Sequence, residues 1–225
     1  LGTTYAVLEY ARTHQTRSIF ISTSEVYGKS RELPFHEGQD LLLGPSHLSR
    51  WSYATAKLAD EHLAMAYHYE YGVPVTVVRL FNTVGPRQLP NWVLPEFVRN
   101  ALLGDPLTVY GDGLQTRCFV DVQDVVRALS ALGDCPAAIG EIYNVGSTDP
   151  ITIMELAEEV RDRVKRKVGY CKSEIRMLSY QEAYQSKGFE DMAARVPDIT
   201  KIRRLLGWEP NTTLRQIIDR VIAFQ

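Results

Sequence analysis

The sequence is poor in the features that mark the more specialised protein classes. Its 225 residues include three cysteines, Cys118, Cys135 and Cys171. An odd number without metal or redox spacing excludes a disulfide framework and reads as inert thiols in a reducing, cytoplasmic setting. No apolar run approaches the ~20 residues of a membrane span, and no signal-peptide pattern is visible. Neither charge dominates: 27 acidic against 25 basic residues leave a net charge of -2. That balance speaks against nucleic acid or an anionic membrane as the main partner. The densest basic clusters, 161–167 and 201–204, alternate with apolar residues at helical spacing and read as solvated helix faces. The five histidines, His14, His36, His47, His62 and His68, show no paired ligand spacing, so no metal is expected.

What is present is a core-forming pattern. At 45% hydrophobic the chain can bury a sizeable interior. Apolar runs at 18–23, 75–80 and 141–145 predict strands. Amphipathic stretches at 1–12, 51–71, 94–103, 122–132, 153–168 and 217–224 predict helices. Strands alternating with helices imply an α/β fold with a parallel sheet covered by helices. The turn signals Gly85-Pro86, Gly111-Asp112-Gly113 and Gly146-Ser147 mark excursions from that sheet.

The most informative stretch is Tyr53-Ala54-Thr55-Ala56-Lys57, inside a helix-like run. Four residues apart, the phenol and the ammonium rise from one helix face, where the cation can favour the phenolate form of the tyrosine and fit it to act as a base. Taken alone, Y-x-x-x-K is more often a solvated surface pair. About thirty residues upstream, the strand Ser18 to Thr23 runs into Ser24-Glu25-Val26-Tyr27-Gly28. Hydroxyls and a carboxylate at the carboxyl end of a buried strand stand where an open α/β sheet places its chemistry.

The residues Ser22 to Gly28, Tyr53-x-x-x-Lys57, Arg79-Leu80-Phe81-Asn82-Thr83-Val84-Gly85-Pro86-Arg87, Val109 to Gly113 with Gln115-Thr116-Arg117, and Asn144-Val145-Gly146 come in a telling order. The chain resembles the extended short-chain dehydrogenase/reductases that rebuild nucleotide sugars, the epimerase/dehydratase group, and the resemblance runs from residue 1 to the end. It implies the C-terminal part of a Rossmann-like doubly wound parallel sheet with a smaller α/β substrate-binding domain. Residues 1–82 and 123–145 are expected in the Rossmann-like part and residues 83–122 and 146–225 in the smaller one. The resemblance also implies NAD as cofactor, a nucleotide sugar as substrate, and a homodimer through the helix that carries Tyr53. One departure is large: no G-x-x-G-x-x-G turn follows a strand near the start, where Gly2 is the only glycine of the first two dozen residues. The expectation is a fragment without the N-terminal third, in which NAD binding is only half encoded.

The resemblance assigns roles residue by residue. Tyr53 would be the general base, with Lys57 touching the cofactor ribose, so that both also count as cofactor-binding residues. Thr23 would hydrogen-bond the sugar's C4 oxygen, where the plain alternative is a β-branched strand residue. Ser24 and Glu25 occupy positions that vary with the reaction. Dehydratases carry Asp-Glu there and epimerases small or hydroxyl residues, whereas Ser-Glu resembles the decarboxylases that act on a nucleotide-linked glucuronic acid. Arg117 suits bidentate binding of a pyrophosphate, Arg195 would face the sugar's carboxylate or phosphates, and Asn82 and Arg87 would reach the phosphate, although Asn82 could simply cap its turn. The expected reaction is NAD-dependent modification through a 4-keto sugar, with UDP-glucuronate decarboxylase placed first, 4-epimerase second and 4,6-dehydratase third. From a different class, a non-catalytic nucleotide-binding protein stays open, although it would have no need of Thr23, Tyr53, Lys57, Asn82 and Arg117 together.

Overall fold

A computed structural model describes residues 1–184 and 191–225; residues 185–190, part of the segment expected in the smaller domain, lie outside the described residues. The elements follow in chain order as α1 (Gly2–His14), β1 (Ser18–Thr23), α2 (Ser52–Tyr71), β2 (Val75–Leu80), β3 (Thr83–Val84), α3 (Val93–Leu103), β4 (Leu107–Tyr110), β5 (Thr116–Cys118) and β6 (Val120–Asp121). They continue through α4 (Val122–Asp134), β7 (Glu141–Val145), β8 (Pro150–Thr152), α5 (Ile153–Val168), β9 (Ile175–Leu178), α6 (Tyr180–Tyr184), β10 (Ala194–Arg195), α7 (Thr200–Leu206) and α8 (Leu214–Phe224). Short 3-10 turns at Ser24–Tyr27 and Ser49–Trp51 precede the loop and the helix that matter most below.

The central sheet has the order β1-β2-β7, all parallel. Its middle strand shows why a continuous apolar run was needed: residues 75–79 are all buried, and their side chains alternate between two faces. Val75 and Val77 pack with Leu8, Ala11, Ala64 and Tyr67 of α1 and α2. Val78 points the other way, to Val125, Ala128 and Leu132 of α4 and to Ile202 of α7. The outcome is three layers, with helices on both faces of a parallel sheet. A second core gathers α3, α5 and α8 around β4, with Phe97, Leu107, Val109, Leu156, Val160 and Ile218 at its centre.

The three strand bounds match the sequence reading, and four helix starts differ, three of them by one residue. Helix α8 begins at Leu214, three residues before the expected 217, because the Thr213 hydroxyl accepts from the Gln216 amide while the Gln216 side chain answers the Thr213 amide. That capping box satisfies two otherwise unpaired amides. Helix α1 starts at Gly2 and runs on to His14, where Gln15 turns left-handed at φ 52°. The expected 51–71 helix starts as an α-helix at Ser52, because Trp51 closes the preceding 3-10 turn. Among the described residues, no helix is long and apolar enough to cross a membrane.

One residue short of the sheet's carboxyl edge, Ser22, Arg79 and Asn144 are register partners across the three strands, and all three are buried. Buried polar groups need partners, and these have them. Arg79 donates to both oxygens of Glu61 on α2, at 3.1, 3.1 and 2.8 Å, and to the Tyr27 hydroxyl at 3.1 Å. The Ser22 hydroxyl donates to Glu61, and the Tyr27 hydroxyl donates to Asn144 Oδ1 at 2.8 Å. Glu61 lies four residues beyond Lys57 and eight beyond Tyr53, so this network pins the same face of α2 that presents those two residues to the sheet edge.

Candidate active site

The strand β1 ends at Thr23, whose hydroxyl accepts from the Glu25 amide at 3.3 Å and so caps the 3-10 turn that follows. The cap leaves the hydroxyl proton available for donation. Gly28 closes the turn at φ 60°, and a Cβ there would meet the Leu42 carbonyl oxygen at 2.2 Å, so only glycine fits. These constraints aim Thr23, Ser24 and Glu25 into a cavity of about 390 Å³, within the range of small-molecule sites. Tyr53, Asn82, Trp92, Phe119 and Arg195 line it as well. The cavity opens at the carboxyl end of β1 and β2, the expected place in a parallel sheet.

Tyr53 is half exposed at the start of α2. Lys57 donates from Nζ to the Ile21 carbonyl oxygen at 2.7 Å, which fixes the ammonium against the exposed edge of β1, beside the cavity rather than in its wall. Asn82 reaches the wall, but its amide nitrogen donates to the Cys118 carbonyl at 3.2 Å, so it also fastens the strand crossing. Two of the expected phosphate ligands stand apart from this cavity. Arg87 is not in this cavity; it lines a neighbouring recess with Pro86, Gln123 and Phe224, because the Gly85-Pro86 turn carries the chain away from the sheet edge. Arg117 is buried behind the wall, where its guanidinium donates to Asp191 Oδ2 at 2.8 Å and to the Thr116 carbonyl at 2.9 Å.

Arg117 and Arg195 are register partners on the parallel strands β5 and β10. Like charges so placed repel, and acidic side chains offset the repulsion. Arg195 Nη1 lies 2.6 Å from Glu25 Oε1, and its Nη2 lies 3.8 Å from Asp191 Oδ1. Glu25 Oε2 lies 2.5 Å from Arg50 Nη1. Burial pushes the Glu25 carboxyl up, but Arg195 and Arg50 outweigh it and hold the group below the usual carboxylate range. Burial likewise pulls the Arg195 guanidinium down to about 10, against the attraction of Glu25, which leaves it a cation at neutral pH. Among the described residues, Arg195 Nε has no hydrogen-bond partner, although its side chain is only 11% exposed.

Sequence reasoning missed Arg50, Asp191 and Glu61. Glu61 carried a signal, its helical spacing from Tyr53 and Lys57; Arg50 and Asp191 carried none, because their partners come together only through the fold. Cys118 is fully buried, and burial pushes its thiol up to about 12, as an inert thiol requires. Among the described residues, no three metal-ligating side chains gather.

Comparison with known proteins shows the family of the chain. A UDP-N-acetyl-alpha-D-glucosaminuronate decarboxylase of Bacillus cytotoxicus is 40% identical over 221 residues, covering 97% of this chain and 66% of that protein. The UDP-D-apiose/UDP-D-xylose synthase of Oryza sativa subsp. japonica is 31% identical, over 97% of this chain and 63% of its own length. The chain thus spans just under two thirds of these curated relatives. The crystal structure of a UDP-glucuronic acid 4-epimerase from Bacillus cereus, in complex with UDP-glucuronic acid and NAD, superposes with a TM-score of 0.80 at 28% identity, covering 98% of this chain and 65% of that one. The family model described as GDP-mannose 4,6 dehydratase matches residues 1–221, and the chain therefore belongs to that family, within the extended short-chain dehydrogenase/reductases.

Proposed function

We propose that this chain carries the catalytic and substrate-binding residues of an NAD-dependent enzyme that decarboxylates a UDP-linked hexuronic acid through a 4-keto sugar. The observation that supports the decarboxylating reading best is the Arg195–Glu25 pair in the cavity wall beside Thr23 and Tyr53. A guanidinium in that wall suits a second carboxylate, that of the sugar.

The residues present fit a dinucleotide at the carboxyl edge of the sheet. Tyr53 stands open to solvent there, and Lys57 is held on the Ile21 carbonyl with an ammonium that has further protons to donate to a ribose. NAD, when bound, supplies the hydride acceptor for C4 of the sugar and the later hydride donor. Tyr53 removes the proton of the C4 hydroxyl, and Thr23 donates to the same oxygen. In the resulting 4-keto acid the carboxylate is β to a ketone. Arg195 orients that carboxylate, and carbon dioxide departs with the electrons of the C5–C6 bond moving toward the ketone. Ser24, buried in the cavity lining, and Glu25 then manage the proton delivered to C5. We also assign residues 83–122 and 146–225 to the substrate-binding part of the molecule.

A second reading is 4-epimerisation of the same uronate, favoured by the likeness to the Bacillus cereus enzyme; Arg195 would then hold a carboxylate that stays in place. Dehydration ranks third, since Ser24 stands where that chemistry needs an acid. The deciding experiment supplies the protein with NAD and UDP-hexuronic acids labelled with carbon-13 at C6. Labelled carbon dioxide supports decarboxylation, whereas a C4-inverted product that keeps its label assigns epimerisation.

A further inference from the structure

We infer that Arg50 is a positioning residue that holds Glu25 in place while Arg195 turns from Glu25 to the carboxylate of the substrate. The inference rests on the uronate reading and deepens it. Glu25 uses its two oxygens on two different arginines, Oε1 on Arg195 and Oε2 on Arg50. The two cations are not equivalent. Arg195 lines the cavity, and among the described residues its Nε has no hydrogen-bond partner. Arg50 does not line it; its guanidinium lies 5.4 Å from the centre of the buried Trp51 ring, and its second nitrogen is 3.7 Å from Asp191 Oδ1. Stacking and a second carboxylate fix the plane of the Arg50 fork.

The need for such a residue follows from the exchange itself. A carboxylate entering the cavity competes with Glu25 for the fork of Arg195. If Arg195 alone compensated Glu25, its departure would leave a largely buried carboxylate unpaired, a severe penalty. With Arg50 retained on Oε2, Glu25 stays charged and oriented throughout, ready for its task at C5. Arg50 also sits in the 3-10 turn that leads into α2, so the same short segment sets both Glu25 and Tyr53. Among the described residues, the charged and titratable groups around Glu25 are Arg50 from that turn, Arg195 of β10, Asp191 just before it, Arg117 of β5 behind, and Tyr53 across the cavity.

The test reads Glu25 directly and needs neither NAD nor turnover. Carbon-13 NMR of the glutamate carboxyl groups, with Glu25→Gln to assign the signal, follows the Glu25 midpoint against pH. Arg50→Gln is expected to raise that midpoint by about one unit or more, and Arg50→Lys, which keeps the charge without the fork, to raise it less. Unchanged midpoints in both variants would overturn the inference; if the Gln variant does not fold, the Lys variant decides by the same criterion. Calorimetric binding of UDP-glucuronate and UDP-glucose supplies the second reading. Arg50→Gln should weaken UDP-glucuronate at least about threefold more than UDP-glucose, while equal weakening of both would mark Arg50 as merely structural and overturn it. Equal affinity of the unmodified protein for the two ligands would instead refute the uronate reading and the exchange built on it, leaving the titration to decide whether Arg50 holds Glu25.

Discussion

Replacing Arg79 by methionine should destabilise the chain by about 3–5 kcal/mol, the range for breaking a buried ion pair from one side. Both members are almost fully buried, with side chains 3% and 4% exposed. The variant loses three contacts from Arg79 to Glu61, one to Tyr27 and one to the Glu37 carbonyl, and among the described residues it leaves the Glu61 carboxylate with only the Ser22 hydroxyl as a donor. At about 1.4 kcal/mol per factor of ten, the folding equilibrium moves by roughly two to three and a half powers of ten. Urea unfolding followed by the emission of the buried Trp51 and Trp208 measures the loss as a fall in midpoint. Arg203→Met breaks the exposed pair with Glu209 as a control and should cost less than about 1 kcal/mol. The double variant Arg79→Met with Glu61→Met should recover most of the loss, because no charge is then left alone. A single-variant loss no larger than the control, or a double variant no better than the single, would refute the claim that this pair pins α2 to the sheet.

In the enzyme assay, Tyr53→Phe should lower turnover by at least about 10²-fold with substrate saturating, the share of a general base, and near-normal turnover would return Tyr53 and Lys57 to a plain surface pair. Native protein treated with iodoacetamide at pH 8 should leave Cys118 unmodified while denatured protein reacts, which peptide mass spectrometry reads directly, since the thiol titrates only at about 12. For Asp124, burial pushes the carboxyl up, but the hydrogen bonds from Arg127 and from the Thr212 and Asn211 amides outweigh it and lower it. A lowered carboxyl gives stability that is complete above the unfolded value of about 4 and is lost as pH falls through the folded value. Asp124→Asn should therefore flatten the acid limb of a stability-against-pH curve, and an unchanged limb would contradict that assignment.

The parts of the fold legible in the sequence were those whose local pattern and burial agree. The runs 18–23, 75–80 and 141–145 are strands with those same bounds; the middle one, covered on both faces, asks for continuous apolar residues, whereas β1, expected to be buried, is an edge strand with Ile21 exposed. The short strands β3, β4, β5, β6, β8, β9 and β10 were not read. Two to four residues carry no usable period, and their pairing, such as Arg117 with Arg195, is decided by tertiary register. Within the cavity, Thr23, Ser24, Glu25, Tyr53, Asn82 and Arg195 were all named from motifs. Arg87 and Arg117 were named from motifs as well, but they lie outside that cavity, Arg87 in the neighbouring recess and Arg117 against Asp191. Arg50 went unread because it gains meaning only where Glu25 meets it across the fold.

The most direct test of the central claim is the fate of C6 when the protein and NAD meet a UDP-hexuronic acid labelled there. Release of labelled carbon dioxide with formation of a UDP-pentose, slowed in Glu25→Gln more than binding is weakened, is the predicted result. A product that retains the label at C6 with C4 inverted would contradict it.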